Sequence, residues 1–400
     1  MAVDAGVDLD DAVDGEPAGV GSAQWPSVDE DWRVIARMLP QHWESKAVEL
    51  GAVKRQLRGF ADVSSLLRVL MIHLADGCSL RETAVRASAG GLTAVSDVAL
   101  LKRLRSSAGW FEWMVREMTA EMARPLDSAP LLPGRRVRLI DGTAVCEPGA
   151  TGSTWRLHYA LNLATLACEE VHVTESSVAE SLTLFRLSAG DIIMADRGFA
   201  RRRGVRWARQ HQADIVLRAS LNSVPLRTRD SRPLDLLALL RTLEVGHCGE
   251  WPARIDDASA ADGGTDVRVC AYKKSATQTQ ASIHAIEREA RKKSRQPQAE
   301  TLEAAGYVIV LTTLTEPSAT EIMEFYRRRW QVELAFKRLK SLLQLGHLKK
   351  FDKQGALAWL QGKLLVACLI EKLILTAERI SPWGYAESPG KQAESAFSLA

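Results

Sequence analysis

The chain has 400 residues, 46% of them hydrophobic and 25% charged, which is enough for one large domain or two to three smaller ones with a substantial core. The net charge of +3 hides an uneven distribution. Residues 1–31 contain nine Asp or Glu and no Lys or Arg, whereas the other 369 contain 52 basic and 40 acidic groups, a net of +12. A basic body of this kind favours a polyanionic partner.

Several classes of protein are excluded at this stage. The six cysteines are scattered without a CxxC pair, which predicts reduced thiols and no zinc site. The N-terminus is acidic, where a signal peptide would have basic residues and then an apolar run. The most apolar helical stretch, residues 364–375, is too short to span a bilayer and contains Glu371 and Lys372. We therefore expect a soluble cytoplasmic protein without a membrane partner.

The N-terminal third divides into a tail and a helical region. Residues 1–31 are rich in Asp, Gly, Ala and Val, which predicts a disordered acidic tail. Residues 32–128 are predicted to form an all-helical domain. Within it, Ser79 is placed to cap one helix and Ser96 or Asp97 to cap the next, after a glycine pair. This pattern is found in helix-turn-helix DNA-binding domains and in ordinary helical bundles alike.

After a proline-rich linker, residues 129–377 change to a mixed pattern and form the second predicted domain. Its first elements are predicted in the order strand, strand, strand, helix, strand, helix, strand, at residues 136–141, 155–163, 169–174, 180–187, 191–195, 199–211 and 214–218. This order is typical of an RNase H-like fold with a mixed sheet, in which acidic residues at strand ends meet at one edge.

Residues 222–304, approximately, interrupt this order. They are predicted to be an insertion, because an apolar strand at 307–313 and a long helix at 318–343 complete the core after them. An amphipathic helix at 357–379 follows, and residues 378–400 are predicted to form a tail. The predicted fold class is therefore α/β, with an RNase H-like core after an all-helical N-terminal domain.

Two predicted strands end in an aspartate. Asp141 precedes Gly-Thr, and Asp196 precedes Arg197 and a glycine. Carboxylates that meet at a sheet edge form an oxygen-rich site of the kind that Mg²⁺ or Mn²⁺ prefers. Each aspartate taken alone could equally be a turn or cap residue.

The stretch from Tyr326 to Lys340 reads YRRRWQVELAFKRLK and is predicted to be one uninterrupted helix, since it contains neither proline nor glycine. Helical spacing predicts a buried stripe of Val332, Ala335, Leu339 and Leu342. The neighbouring face carries one carboxylate, Glu333, among Tyr326, Arg329, Lys337 and Lys340. That arrangement suits a metal ligand beside a phosphate. Ordinary i,i+4 ion pairs, each contributing only ~0.2–0.5 kcal/mol, would give the same pattern.

The spacing Tyr-x2-Arg-x3-Glu-x6-Lys, on Tyr326, Arg329, Glu333 and Lys340, matches the signature of the DDE transposases of the insertion-sequence-four family. The chain resembles this family from about residue 64 to residue 371. The matching pieces are VSDVALLKRL, LIDGTAV, WRLHY, AESL, IIMADRGFA, IVLRAS and YRRRWQVELAFKRLKSLL. In the DRG-aromatic motif this chain has Phe199 where many members have Tyr.

The resemblance implies a metal-dependent enzyme that transfers phosphoryl groups on DNA. It would cleave the ends of an insertion sequence by phosphodiester hydrolysis and join the 3′-hydroxyls to target DNA. Asp141, Asp196 and Glu333 would be the catalytic ligands of two Mg²⁺ or Mn²⁺ ions. The implied DNA-contacting residues are Tyr326, Arg329, Trp330, Lys337, Lys340 and Arg197.

The resemblance also implies the partners. They are double-stranded DNA, as terminal inverted repeats and as target, and at least one further copy of the chain, because two ends must be processed together. The VSD-x-ALxKRL segment of the family favours a DNA-binding role for residues 32–128, and the implied location is the bacterial nucleoid.

Some points stay open from the sequence. Some relatives stack a flipped base on an aromatic side chain, for which Tyr307 and Trp251 are candidates and are equally candidates for the core. An RNase H-like nuclease without strand transfer is an alternative function. So is a non-catalytic DNA-binding regulator derived from a transposase.

Overall fold

A computed structural model of the chain describes residues 28–54, 57–123, 134–147, 154–260, 263–341, 344, 348 and 352–380. Most of the predicted acidic tail, the proline-rich linker, Leu342 and the end of the C-terminal tail lie outside these residues. The chain divides into two compact units, residues 1–37 and 38–400, and helix α1 (Val28–Met38) supplies the described part of the first. No helix in the described ranges combines the length and apolar character needed to cross a bilayer.

The second unit begins with helices, as the sequence predicts for this part of the chain. Their bounds are α2 (Trp43–Glu49), α3 (Val63–Ala75), α4 (Leu80–Ala89), α5 (Asp97–Ser106) and α6 (Ala108–Met122). Asp62, Ser79 and Ser96 cap α3, α4 and α5, because each side chain accepts a backbone N–H of the first turn. The cap of α5 is therefore Ser96, and Asp97 is the first residue of the helix.

A long C-terminal helix, α13 (Lys353–Ile380), packs against α3, α5 and α6 and against strand β3 (Cys168–Glu175). The fully buried side chains of this region include Trp110 and Trp359, and burying a large apolar side chain contributes about 1.5–3 kcal/mol. Gly362 allows α13 to approach α3, since a Cβ built on it would lie 2.5 Å from Cδ1 of Leu74. The first and last helices of this unit thus share one apolar core.

In the described residues, nine strands form one mixed sheet in the order β3-β2-β1-β4-β5-β9-β8-β7-β6. The other bounds are β1 (Arg136–Val145), β2 (Trp155–Asn162), β4 (Asp191–Ala195), β5 (Asp214–Ala219), β6 (Leu226–Arg227), β7 (Cys248–Asp256), β8 (Gly264–Lys273) and β9 (Tyr307–Thr312). β1, β4 and β5 are parallel to one another, and the other pairs are antiparallel. The order β3-β2-β1-β4-β5 is that of an RNase H-like core, so the predicted fold class is confirmed.

Strands of the predicted insertion continue the same sheet. β9 pairs with β5 on one side and with β8 on the other, and β7 and β6 extend the sheet beyond β8. The remaining helices are α7 (Arg202–Gln210), α8 (Leu236–Arg241), α9 (Ala276–Lys292), α10 (Ala299–Ala304), α11 (Ala319–Arg327) and α12 (Trp330–Ser341). One apolar cluster runs from the core strands into the insertion and includes Ile193, Leu217, Leu311 and Val269.

The helix predicted at residues 180–187 is wrong. This segment is extended apart from a single 3₁₀ turn, Leu182–Leu184. The Ser181 side chain accepts a hydrogen bond from the backbone N–H of Thr183, a local bond that competes with helix formation. Leu182, Phe185 and Leu187 are buried in the core cluster. Residues 180–187 therefore cross the end of the sheet as a largely extended segment, which we call the strap.

The long helix predicted at residues 318–343 is also wrong in one respect, because it is broken into α11 and α12. At the break the Arg329 N–H donates to the Tyr326 carbonyl and the Val332 N–H to the Arg329 carbonyl, at 3.0 and 3.1 Å. These i→i−3 bonds tighten the chain into a 3₁₀-like turn between the two helices, which helix propensity alone does not predict.

The buried face of helix α12 differs by one residue from the stripe that helical spacing predicts. Val332 and Leu339 are buried as expected, but Phe336 is the third buried residue, and Ala335 is only half-buried. The Phe336 ring meets the fully buried Tyr159 of β2 edge-on, with 5.6 Å between ring centres. This contact holds α12 over β1 and β2.

Candidate active site

Asp141 and Asp196 lie side by side where the parallel pairing of the central strands β1 and β4 ends. The register of β1 and β4 ends with Ile140 opposite Ala195, so the next residue on each strand is an aspartate. Neighbouring strands are about 4.8 Å apart. The prediction that β1 ends at Asp141 is wrong, since the strand continues to Val145 through pairing with β2. The position of Asp141 is consequently held by regular backbone pairing.

Glu333 reaches the same place from α12. Arg329, in the turn before that helix, donates from Nη1 to Oδ2 of Asp141 at 3.2 Å and from Nη2 to Oε1 of Glu333. Only 15% of the Arg329 side chain is exposed, so these charge-assisted bonds are shielded from water. The structure therefore brings Asp141 and Glu333 to one guanidinium.

Local backbone bonds orient both aspartates. Within the described residues Asp196 keeps Oδ2 without a hydrogen bond or ion pair, whereas Oδ2 of Asp141 accepts from Arg329. Asp141 Oδ1 accepts from the N–H of Gly142 at 2.7 Å, and Asp196 Oδ1 accepts from the N–H of Gly198 at 2.8 Å. These local bonds fix the side chains without neutralising them, since a neutral N–H carries no countercharge.

A fourth carboxylate, Glu180, lies against both glycines. A Cβ built on Gly142 would lie 2.7 Å from Oε1 of Glu180, and one built on Gly198 would clash with its Oε2 and lie 3.2 Å from Oδ1 of Asp196. Among the described residues Glu180 makes neither a hydrogen bond nor an ion pair. The strap that replaces the predicted helix thus brings an acidic side chain to the two aspartates.

Burial, and after it the neighbouring negative charges, shifts the pKa values of Asp141 and Glu180. Burial, opposed by Arg329, raises the pKa of Asp141 to about 7, and the charges of Asp196 and Glu180 add to the rise. Burial and the charge of Asp196 raise the pKa of Glu180 as well. A cation is the partner that this arrangement favours.

Two further polar groups, Tyr326 and Arg218, lie near enough to Asp196 for its charge to act on both. The Tyr326 hydroxyl is buried without a hydrogen-bond partner among the described residues, and burial raises its pKa to about 12. Arg218, on β5, is largely buried and has no ion pair within the described residues, and burial lowers its pKa. The Arg329 guanidinium lies 5.9 Å from the Tyr326 ring centre. A buried hydroxyl and an unpaired guanidinium are suitable donors to an anionic oxygen.

Four further residues predicted to contact DNA are exposed. Trp330 has 51% of its surface exposed, and the others are Arg197, Lys337 and Lys340. None of these four side chains makes a hydrogen bond or ion pair with the rest of the described chain. They are available to a partner, whereas Tyr326 and Arg329 lie deeper.

A family model described as "Transposase DDE domain" matches residues 132–369. The chain belongs to the DDE transposases. Its relatives include the putative transposase InsL for insertion sequence element IS186A of Escherichia coli K12, 36% identical over 352 residues that cover 86% of this chain and 94% of the relative. The transposase for insertion sequence element IS421 of Escherichia coli is 36% identical over 353 residues, with the same coverage. DDE transposases are metal-dependent DNA-processing enzymes.

The edge residues fit a divalent cation by their chemistry. Carboxylate oxygens are the donors that Mg²⁺ and Mn²⁺ prefer, and the two glycines leave a cradle that any Cβ would fill. Within the described residues, no three His, Cys, Asp or Glu side chains are arranged to hold a metal as they stand. The Arg329 guanidinium, a cation itself, lies against two of the carboxylates and sets their spacing.

Reasoning from the sequence missed Glu180 and Arg218 as members of this site. Arg218 could have been found as the one cation of the strand DIVLRA, directly after three apolar residues. Glu180 lies in AESL, one of the pieces that resemble the family, but its segment was predicted to be helical, and a helix would have directed the side chain differently.

Proposed function

We propose that this transposase is a member of the insertion-sequence-four family that cleaves the ends of its own element and joins the 3′-hydroxyls to target DNA. The observation that carries the proposal is the meeting of Asp141, Asp196 and Glu333 at one sheet edge, with Arg329 between two of them. The relatives named for insertion sequence elements support the substrate assignment.

Asp141, Asp196 and Glu333 would hold the catalytic Mg²⁺ or Mn²⁺ ions, of which phosphoryl transfer of this kind uses two. Bound divalent ions would supply Lewis-acid stabilisation of charge on the attacking and leaving oxygens. The protein fixes the three side chains through β1, β4 and α12, and the contact between Phe336 and Tyr159 holds α12 against β2. In this arrangement the carboxylates are oriented before DNA arrives.

The cations beside the carboxylates would bind the phosphate that is cleaved. Arg329 can fork onto a phosphate with the same two nitrogen atoms that now contact Asp141 and Glu333. The Tyr326 hydroxyl, which has no partner among the described residues, can donate to a second phosphate oxygen, and Arg218 lies beside it. These three residues would orient the scissile group.

Four exposed residues would contact the DNA backbone beyond the cleaved phosphate. They are Arg197, Trp330, Lys337 and Lys340. Lys340 lies seven residues after Glu333, about 10 Å along the helix, which is a suitable distance for a neighbouring phosphate. Their contacts position the duplex and carry no sequence information by themselves.

Sequence-specific binding of the terminal inverted repeats is assigned to residues 32–128, with α5 as the candidate recognition helix. Residues 129–377, with the insertion at about 222–304, would form the catalytic domain. Because two ends must be cut and joined together, the active species would be at least a homodimer on DNA.

A strand-transfer assay tests the proposal. The DNA that flanks the gene supplies the terminal repeats, which are placed on a labelled duplex and mixed with protein, Mg²⁺ and a target plasmid. We expect cleavage at the element end and covalent joining to the plasmid. Cleavage without joining would indicate a nuclease, and binding without cleavage would indicate a regulator.

A further inference from the structure

The strap segment between β3 and β4 carries Glu180 to the end of the sheet, where its carboxylate has no hydrogen bond or ion pair with any residue that the structure describes. The two carboxylate oxygens lie beside glycines, Oε1 against Gly142 and Oε2 against Gly198. Neither makes a hydrogen bond or an ion pair within the described part of the chain. Arg156 and Arg201 attract the carboxylate electrostatically without contacting it, and their own side chains donate to the carbonyls of Val178 and Gly198.

The glycines on which Glu180 rests are those that anchor the two aspartates. Gly142 donates its N–H to Asp141, and Gly198 donates its N–H to Asp196. The position that a Cβ of Gly198 would occupy is 3.2 Å from Oδ1 of Asp196 and closer still to Oε2 of Glu180. The two carboxylates therefore share one small volume, which is kept open by the absence of a side chain.

Like charges this close repel one another unless a cation lies between them. A half-buried carboxylate without a hydrogen bond is costly, because its desolvation is not compensated. The buried Tyr326 hydroxyl, also without a partner among the described residues, lies near enough to Asp141 and Asp196 for their charges to act on it. Two polar groups without a hydrogen bond in the described residues, the Glu180 carboxylate and the Tyr326 hydroxyl, thus lie near the aspartates.

We propose that Glu180 is a fourth carboxylate ligand of this transposase, shared with Asp196 at one divalent cation. The inference rests on the proposed function and adds a residue to it. Glu180 enters from the strap, whereas the other three acidic residues come from two strands and a helix. The oxygen donors of a carboxylate suit Mg²⁺ and Mn²⁺, which take six ligands and complete their shells with water.

Manganese binding to the full-length protein tests this proposal without relying on activity. Titration calorimetry or the electron paramagnetic resonance of free Mn²⁺ gives the affinity for the wild type, for Glu180→Gln and for Asp196→Asn. We expect each variant to bind Mn²⁺ at least roughly tenfold more weakly. Glu316→Gln is the matched control, because this exposed carboxylate carries the same charge and has no ion pair in the described residues; its affinity should equal that of the wild type.

The outcomes separate the two proposals. If Asp196→Asn weakens Mn²⁺ binding and Glu180→Gln does not, Glu180 is no ligand, and the proposed function stands. If neither variant changes the affinity, the metal site itself is misplaced and both proposals fail.

A steric variant provides an independent check that leaves every charge in place. Gly198 does not need a positive φ, so Gly198→Ala is tolerated by the backbone, but its Cβ would displace the Glu180 carboxylate. We expect Gly198→Ala to weaken Mn²⁺ binding about as much as Glu180→Gln does. In a Glu180→Ala background the Glu180 carboxylate is absent and only the 3.2 Å approach to Oδ1 of Asp196 remains, so Gly198→Ala should have a smaller further effect. An equal loss in both backgrounds would contradict the proposal.

Discussion

Charged residues lie at the start of the β1–β4 pairing and directly after its last pair, but these two ends are built differently. At the start, Arg136 forks onto both carboxylate oxygens of Asp191, at 2.7 and 2.8 Å. Arg138, which is almost fully buried, donates to Glu169 at 2.9 Å and to Glu170 at 2.8 Å. Every carboxylate of this paired end contacts an arginine, and the ion pairs join β1, β3 and β4.

The other end, defined by Asp141, Asp196, Glu180 and Glu333, has an excess of negative charge. Arg329 is the one cation in contact with these four groups among the described residues, and it reaches only Asp141 and Glu333. The acidic end therefore has capacity for further cations, whereas the paired end has none. Carboxylates and arginines occur at both ends. Where every carboxylate has an arginine partner they stabilise the sheet, and where carboxylates outnumber the cations they form a candidate metal site.

The largest expected effect comes from neutralising the acidic end. Asp141→Asn, Asp196→Asn and Glu333→Gln should each lower cleavage of end DNA at least about 10³-fold, equivalent to about 4 kcal/mol of barrier. Volume and the phosphate-binding cations are retained, so DNA affinity should change little. Cleavage is measured under single-turnover conditions with Mg²⁺ and binding by gel shift. Glu333→Gln protein that still cleaves would show that Glu333 is not a ligand.

Removing an arginine from the paired end should lower the stability of the fold and leave the catalytic residues in place. Arg138→Met leaves Glu169 buried without its main partner and should lower the free energy of unfolding by about 3–5 kcal/mol. Chemical denaturation followed by circular dichroism gives the value. Arg116→Met, which removes an exposed pair with Glu117, is the control and should cost less than about 1 kcal/mol. Similar losses for the two variants would remove the distinction between a buried network and surface pairs.

The acidic end should also give stability a pH dependence in metal-free buffer. The pKa of Asp141 is about 7 in the folded protein, above its ordinary value of 3.8. Between these values the folded protein keeps the proton and the unfolded chain loses it, so stability falls as pH rises to 7 and is level above it. The fall is at most about 4 kcal/mol.

Denaturation of the wild type and of Asp141→Asn, in a chelator at about pH 4.5, 6 and 8, isolates this contribution. The difference in stability between the two proteins should grow in favour of the variant as pH rises. A difference that stays constant with pH would show that Asp141 titrates normally.

The smallest effect is expected furthest from the carboxylates. Lys340→Ala should weaken binding to end DNA modestly and lower the slope of log affinity against log salt by about one, because one phosphate contact is lost. A salt titration of the binding constant measures the slope. If both slope and affinity equal those of the wild type, Lys340 does not touch DNA. Glu316→Gln again serves as a control on the exposed surface.

Local sequence patterns predict the strands that carry Asp141 and Asp196, because each is a short, largely apolar run that is followed by a polar residue. The RNase H-like order follows from those strands. The break before α12 was not predictable, since Arg328 and Arg329 are good helix formers and only tertiary contacts of Arg329 favour the turn. The position of Glu180 was missed for a related reason: the apolar side chains of its segment are buried by the sheet and not by a helix face.

The central claim is that the acidic end of β1 and β4, and not the paired end, binds the catalytic metal. Anomalous X-ray scattering from crystals of the protein with end DNA, grown in Mn²⁺, tests it directly. We expect anomalous peaks within coordination distance, about 2.0–2.3 Å, of Asp141, Asp196 and Glu333. Peaks beside Asp191 and Glu169, or ordered DNA at the acidic end without manganese there, would contradict it.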